Sequence, residues 1–147
     1  MAYLKKSKTV FLYMLPLLML LAVTGCSVNQ TINNTTATWS SNAPKVVRTS
    51  PESGNVNVDP ATDELRITFD KEMEEGGYSL VKDLSKGQFP ETIGTPVLSS
   101  DRKTFVQKIR LQPKTNYYIS INSNDFSNFK DTEGTPAIPY LLEFETR

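Results

Sequence analysis

From Pro44 onward, apolar and polar residues alternate in short runs broken by turn residues, which is the pattern of half-buried β-strands. The clearest run is Leu65-Arg66-Ile67-Thr68-Phe69-Asp70. A period of two sends Leu65, Ile67 and Phe69 to one face and Arg66, Thr68 and Asp70 to the other. Tyr117, Ile119 and Ile121 share a face in the same way, as do Leu142 and Phe144. With residues 45–49, 78–81, 95–98 and 105–111, these runs predict seven short strands, and turns between them predict an all-β sandwich. The run through Phe105, Ile109 and Leu111 is less regular, because Gln107 falls on its apolar face; a bulge or an edge position is expected there. Residues 50–54 read as a turn, and residues 87–93 as a connection longer than minimal. Helical signal is weak: residues 123–129 predict one turn at most, capped by Ser123 or Asn124.

The pattern ahead of these strands is different. Lys5, Lys6 and Lys8 precede an almost wholly apolar stretch, residues 10–22, which runs into Val23-Thr24-Gly25-Cys26. That order is a secretory signal. The stretch contains Pro16 and falls short of the roughly 20 residues that a bilayer-spanning helix needs, so it reads as an export segment to be removed. Val23-Thr24-Gly25-Cys26 resembles the bacterial lipobox, an aliphatic residue and two small ones before a Cys whose thiol receives a diacylglyceryl group. The resemblance implies lipidation at Cys26, which becomes the first residue of the mature protein, with fatty acyl chains such as palmitate holding it to a membrane of the bacterial cell envelope. Several chains are needed for stable anchoring, since one alone binds only marginally. Ser27 follows the Cys, and resemblance to Gram-negative lipoproteins implies that a residue other than Asp there is compatible with sorting to the outer membrane, if the cell is Gram-negative.

Three segments are therefore expected: a signal peptide at 1–25, a lipidated Cys with a polar tether at 26–43, and a domain at 44–147. The tether is rich in Asn, Ser and Thr and carries no charge, so it buries too little apolar surface to offset the entropy of ordering it. A flexible linker of about 17 residues reaches on the order of 20–25 Å. Trp39 is its one large ring, expected to rest on the domain or at the membrane interface. The leader holds three of the sixteen basic residues and no acidic one, which leaves a mature chain of 122 residues with net charge −3. Mild acidity argues against nucleic acid as a partner and against electrostatic adhesion to anionic lipid. Cys26 is the only cysteine, so if it is acylated the fold rests on packing without a disulfide.

Four ordered blocks carry a family resemblance. They are Ser50-Pro51-x-x-Gly54-x-x-x-Val58, the run from Leu65 to Met73, Leu111-Gln112-Pro113-Lys114-Thr115-Asn116-Tyr117-Tyr118-Ile119, and Asp131-Thr132-Glu133-Gly134-Thr135-Pro136 followed by Phe144-Glu145-Thr146. Residues 44–147 resemble the bacterial Ig-like domain of surface-layer and other envelope proteins. The resemblance implies an Ig-like β-sandwich. Tyr117 is expected to act as a corner, its ring inside and its hydroxyl bonded to backbone upstream. Met73 suits an irregular core edge and Gly134 a turn with φ > 0. Lys114 stands where the family commonly has Gly, and Thr135 where Asn is usual.

Candidate chemistry is sparse. With no His, a Ser-His or Cys-His pair and a His-based zinc site are excluded, and no cofactor or catalytic residue is expected. Glu72, Glu74, Glu75, Asp83, Asp131 and Glu133 include enough carboxylates for a glycoside-cleaving pair, but acids at turns are ordinarily just solvated. Asp131 with Glu133, and Asp59 with Asp63, make oxygen-rich loops without the spacing of a calcium-binding loop, and Asx-type turn bonding is the reading they favour. Tyr78, Phe89, Tyr118, Phe126 and Phe129 are candidates for a surface that stacks on sugar or peptide. Tyr118 leads as a candidate ligand contact, because alternation turns it away from the core when Tyr117 points in; Phe126 and Phe129 are expected to pin their loop to the sandwich. The leading function is a non-catalytic lipoprotein that displays its domain for spacing, adhesion or protein assembly, with an envelope protein or glycan as partner. A glycan- or peptidoglycan-binding lipoprotein is the alternative, and a carboxylate-dependent hydrolase a distant third.

Overall fold

Seven strands form in the computed structural model, six on the alternating runs and the fourth starting four residues ahead of its run; the structure describes residues 39–147. They are β1 (Val46–Ser50), β2 (Glu64–Phe69), β3 (Leu80–Val81), β4 (Glu91–Leu98), β5 (Thr104–Arg110), β6 (Asn116–Ile121) and β7 (Tyr140–Glu145). The signal segment, Cys26 and the tether up to residue 38 lie outside the described residues. All strand neighbours are antiparallel, in two sheets ordered β1-β2-β5-β4 and β3-β6-β7. In chain order that is the ABED and CFG arrangement of the seven-stranded immunoglobulin sandwich. Among the described residues there is no helix, and none long and apolar enough to cross a membrane.

Alternation decides what the two sheets bury. Leu65, Ile67 and Phe69 of β2 face Tyr117, Ile119 and Ile121 of β6 and Leu142 and Phe144 of β7, all in one buried cluster. Each such side chain contributes about 1.5–3 kcal/mol when fully buried. Phe69, Phe105 and Phe129 meet at its centre, with ring centroids 4.9 to 6.1 Å apart. Met73 is fully buried beside them.

Gln107 corrects one expectation. It lies on the core face as the period requires, but β5 is an interior strand and continues its pairing with β2 unbroken. The irregularity sits in the neighbour: β4 shifts register between Ile93 and Val97, opposite Gln107. The Gln107 amide nitrogen fills that bulge, donating to the carbonyls of Ile93 at 3.1 Å, Gly94 at 3.4 Å and Lys108 at 2.8 Å. A polar side chain is tolerated in the core because its amide reaches acceptors that the bulge has released. The bulge also explains why residues 87–93 read as a connection: β4 begins at Glu91, and Gly94 and Pro96 interrupt its pattern.

Residues 123–129 form no helical turn. The Phe126 N–H does donate to Ser123 Oγ at 3.1 Å, as a capped turn would have it. Asn122, buried and at φ 59°, then draws the chain back. Its amide donates to the carbonyls of Phe129 and Ala137, and its oxygen accepts from the Phe129 N–H at 3.0 Å. Those bonds hold the loop against the sandwich and seat Phe129 in the core.

Candidate functional site

Tyr118 faces the opposite side of β6 from Tyr117, as alternation demands, yet it is not an exposed ring. Only 8% of it is accessible. Residues 82–90 fold across it: the Tyr118 N–H donates to Gln88 O, and the Gln88 N–H to Asn116 O, so this segment pairs beside β6. Gly87 passes so close that an added Cβ would sit 3.0 Å from Tyr118 Cβ. Lys86 completes the cover, its ammonium 5.1 Å from the ring centroid and donating to the phenol oxygen at 3.0 Å. The bond to Tyr118 raises the Lys86 pKa above its ordinary value. With residues 82–90 across it and Lys86 on its hydroxyl, Tyr118 offers no open ring face to a ligand.

Three of the other candidate aromatics converge instead. Tyr78, Phe89 and Phe126 line one groove of about 620 Å³ along β3, with Leu80, Val81, Lys82, Ser79 and Asn128. Tyr78 is 38% and Phe126 57% exposed, whereas Phe129 is wholly buried. Phe129 therefore pins its loop as expected, and Phe126 leaves its ring in solvent. A smaller hollow lined by Glu74, Gly76, Gly77 and Lys130 adjoins the groove through Tyr78 and Asn128. Asn128 is held in place by its N–H, which donates to Ser79 Oγ.

The acidic loops are organised on backbone. Asp131 is 3% exposed, and one carboxylate oxygen accepts from the N–H groups of Glu133 at 3.1 Å and Thr135 at 2.8 Å. Asp59 accepts from the Ala61 N–H at 2.9 Å, which lowers its pKa, and also pairs with Arg147. Asp63 pairs with Lys108 at the surface rather than with Asp59. Asp83 accepts from the Ser85 hydroxyl and N–H, and its pKa is lowered by them. Among the described residues no three acidic, His or Cys side chains gather where they could hold a metal ion. Glu72, Glu74 and Glu75 are exposed.

Comparison with known proteins accords with this two-sheet architecture. The family model of the bacterial Ig-like domain matches residues 40–146. The chain belongs to that family. No curated protein matches the chain. Among solved structures, the crystal structure of the S-layer protein rSbsC(31-844) is similar at 18% identity and a TM-score of 0.46, over 71% of this chain and 14% of that one. Domains 1–6 of surface layer protein SbsC are similar at 19% identity and a TM-score of 0.44, over 69% of this chain and 13% of that one. The chain thus spans about one seventh of the length of these proteins.

Within this Ig-like domain the residues carrying the resemblance have structural work. The Tyr117 hydroxyl accepts from the Gln112 N–H at 2.6 Å, five residues upstream, and its ring stacks on Phe144 at 5.1 Å. That is the corner expected of it. Lys114 adopts φ 51°, a left-handed conformation that Gly enters without steric cost, which explains why Gly would suit the position. Gly134 takes φ 81°, and Thr135 closes its turn through backbone alone, by its N–H and carbonyl to Asp131. Lys86, Lys82 and Asn128 were not singled out by sequence. A lone Lys or Asn in a turn carries no pattern, so no signal there would have found them.

Proposed function

We propose that this chain is a non-catalytic envelope lipoprotein that holds its Ig-like domain at a membrane surface, on lipid attached to Cys26, for spacing, adhesion or protein assembly. The observation that carries this reading is the N-terminal order of residues: three lysines, an apolar stretch, Val23-Thr24-Gly25-Cys26, and then a tether without charge leading into the domain. β1 starts beside the loops that follow β2 and β6, where the Asp70 N–H donates to Lys45 O and the Ile138 N–H to Pro44 O. The opposite end of the sandwich carries residues 51–63, 82–90 and 111–115.

The test is Cys26→Ser in the intact cell. The substituted protein should leave the membrane fraction and fail to incorporate labelled palmitate; membrane retention with unchanged labelling would overturn the anchor. Glycan binding is a second reading, favoured by the exposed rings of Tyr78 and Phe126 in one groove with Asn128. Aromatic faces beside amide groups suit sugars, which present an apolar face and a hydroxyl rim. Retention on purified peptidoglycan that is lost on Tyr78→Ala would favour it.

A further inference from the structure

The two sheets leave four strand edges, of which one is covered and two are interrupted by register shifts. The outer edge of β7 is occupied by residues 54–58: the Gly54 N–H donates to Glu143 O, the Glu145 N–H to Asn55 O, the Val58 N–H to Glu145 O and the Arg147 N–H to Val58 O. β1 is broken by a register shift between Val46 and Arg48, and β4 by its bulge between Ile93 and Val97. Bulges of this kind twist an edge out of the plane that another strand would need.

The edge of β3 has neither device. The Asn122 N–H donates to Ser79 O at 3.0 Å, and Leu80 stands opposite Ile121 and Val81 opposite Ser120. In an antiparallel ladder hydrogen-bonded pairs alternate with unbonded ones. Ser79 and Val81 therefore turn their main-chain groups to β6, and Leu80 turns its N–H and carbonyl outward, into the groove. Among the described residues neither group has a backbone partner on that side. Beside it stand the rings of Phe89, Phe126 and Tyr78, and the exposed Lys82, which has no carboxylate within 4.0 Å among the described residues.

We infer that this groove receives an extended segment of a partner polypeptide, which pairs its backbone with Leu80, lays an apolar side chain among Phe89, Phe126 and Tyr78, and sets an acidic side chain against Lys82. Strand addition to a free edge supplies main-chain hydrogen bonds, while pockets beside it select alternate side chains. With only Leu80 and Val81 in β3, the ladder is short, so the aromatic pocket supplies most of the affinity and Lys82 the choice of an acidic partner. An unpaired main-chain edge is what distinguishes a peptide from a glycan here, since sugars have no use for a strand template. The inference rests on the assembly reading of the preceding subsection and gives it a surface.

The full chain in detergent micelles, offered a phage-displayed library of short linear peptides, is the direct test. Enriched sequences should alternate apolar and polar residues and contain Asp or Glu. Phe126→Ala, at an exposed position that leaves the core intact, should weaken the selected peptide about tenfold, as removal of a pocket aromatic does. Lys82→Glu should weaken the acidic peptide and not its amide counterpart. Methylating the peptide amide nitrogen that meets Leu80 O should cost about fivefold, the worth of one hydrogen bond, while methylating its neighbour costs little. No enrichment over the Phe126→Ala protein, indifference to methylation at every amide, or binding of chitotetraose instead of peptide would each overturn the inference. Membrane release of Cys26→Ser is read separately, so loss of the anchor and loss of the docking edge are told apart.

Discussion

Lys86 lies over Tyr118, with its ammonium 5.1 Å from the ring centroid and bonded to the phenol oxygen. Because Lys86 is itself exposed, Lys86→Ala should leave stability nearly unchanged, as is usual for surface cation–π and ion-pair contacts. It should, however, bare the hydroxyl edge of Tyr118. Nitration of Tyr118 by tetranitromethane should quicken while the urea midpoint barely moves, and an unchanged nitration rate would show that residues 82–90 cover the ring without Lys86.

Gln107 is the donor for three carbonyls at the β4 bulge. Gln107→Leu keeps much of the volume and removes the donor. Leaving buried acceptors unsatisfied costs about 1–3 kcal/mol, so urea unfolding should show a loss of that order with an unchanged slope.

Asn122 also makes three bonds from one buried side chain, both donating and accepting, and holds the 123–129 loop to the sandwich. Asn122→Ala should lose about 3 kcal/mol or more, the cost of breaking a buried hydrogen-bond network. Amide exchange should locate the damage, with protection lost at Phe129 and Ala137 before it is lost in β2 and β5.

Acid should destabilise the domain, and neutral pH should not matter. The Asp59 and Asp101 pKa values fall below 3.8, chiefly through the Ala61 N–H and the Ser99 hydroxyl respectively, and that of Glu64 falls below 4.5, chiefly through Lys108. A depressed carboxylate stabilises the folded state above its unfolded pKa, and that contribution fades as pH drops through the folded value. The chain has no His. The urea midpoint should therefore stay flat from about pH 5.5 to 8 and fall below about pH 4, since no side chain ordinarily titrates between. A transition near pH 6.5 would contradict this.

Much of the fold was legible because side-chain direction in a strand is a local property. Leu65, Ile67 and Phe69 are buried together for the same reason that they alternate, and Tyr117 could be read as a corner because it opens a strand after a turn. Gln107 shows where that legibility stops. Its face followed from the period, but the bulge that accommodates it belongs to β4, whose Gly94 and Pro96 hide the strand from a pattern search. Tyr118 is the sharper case: alternation gave its direction correctly, and exposure did not follow, because Lys86 comes from another loop.

The sequence by itself carried the N-terminal order that reads as an export segment ending at Cys26, the uncharged tract after it, and the faces that β2, β6 and β7 bury, since each is written in neighbouring residues. Only the tertiary structure decided which rings stay in water. Tyr78, Phe89 and Phe126 meet in one groove, and Leu80 keeps an unpaired edge there, because β3, its flanking loops and the loop after β6 bring together residues that are distant along the chain. A local period carries no information about what a distant segment will cover.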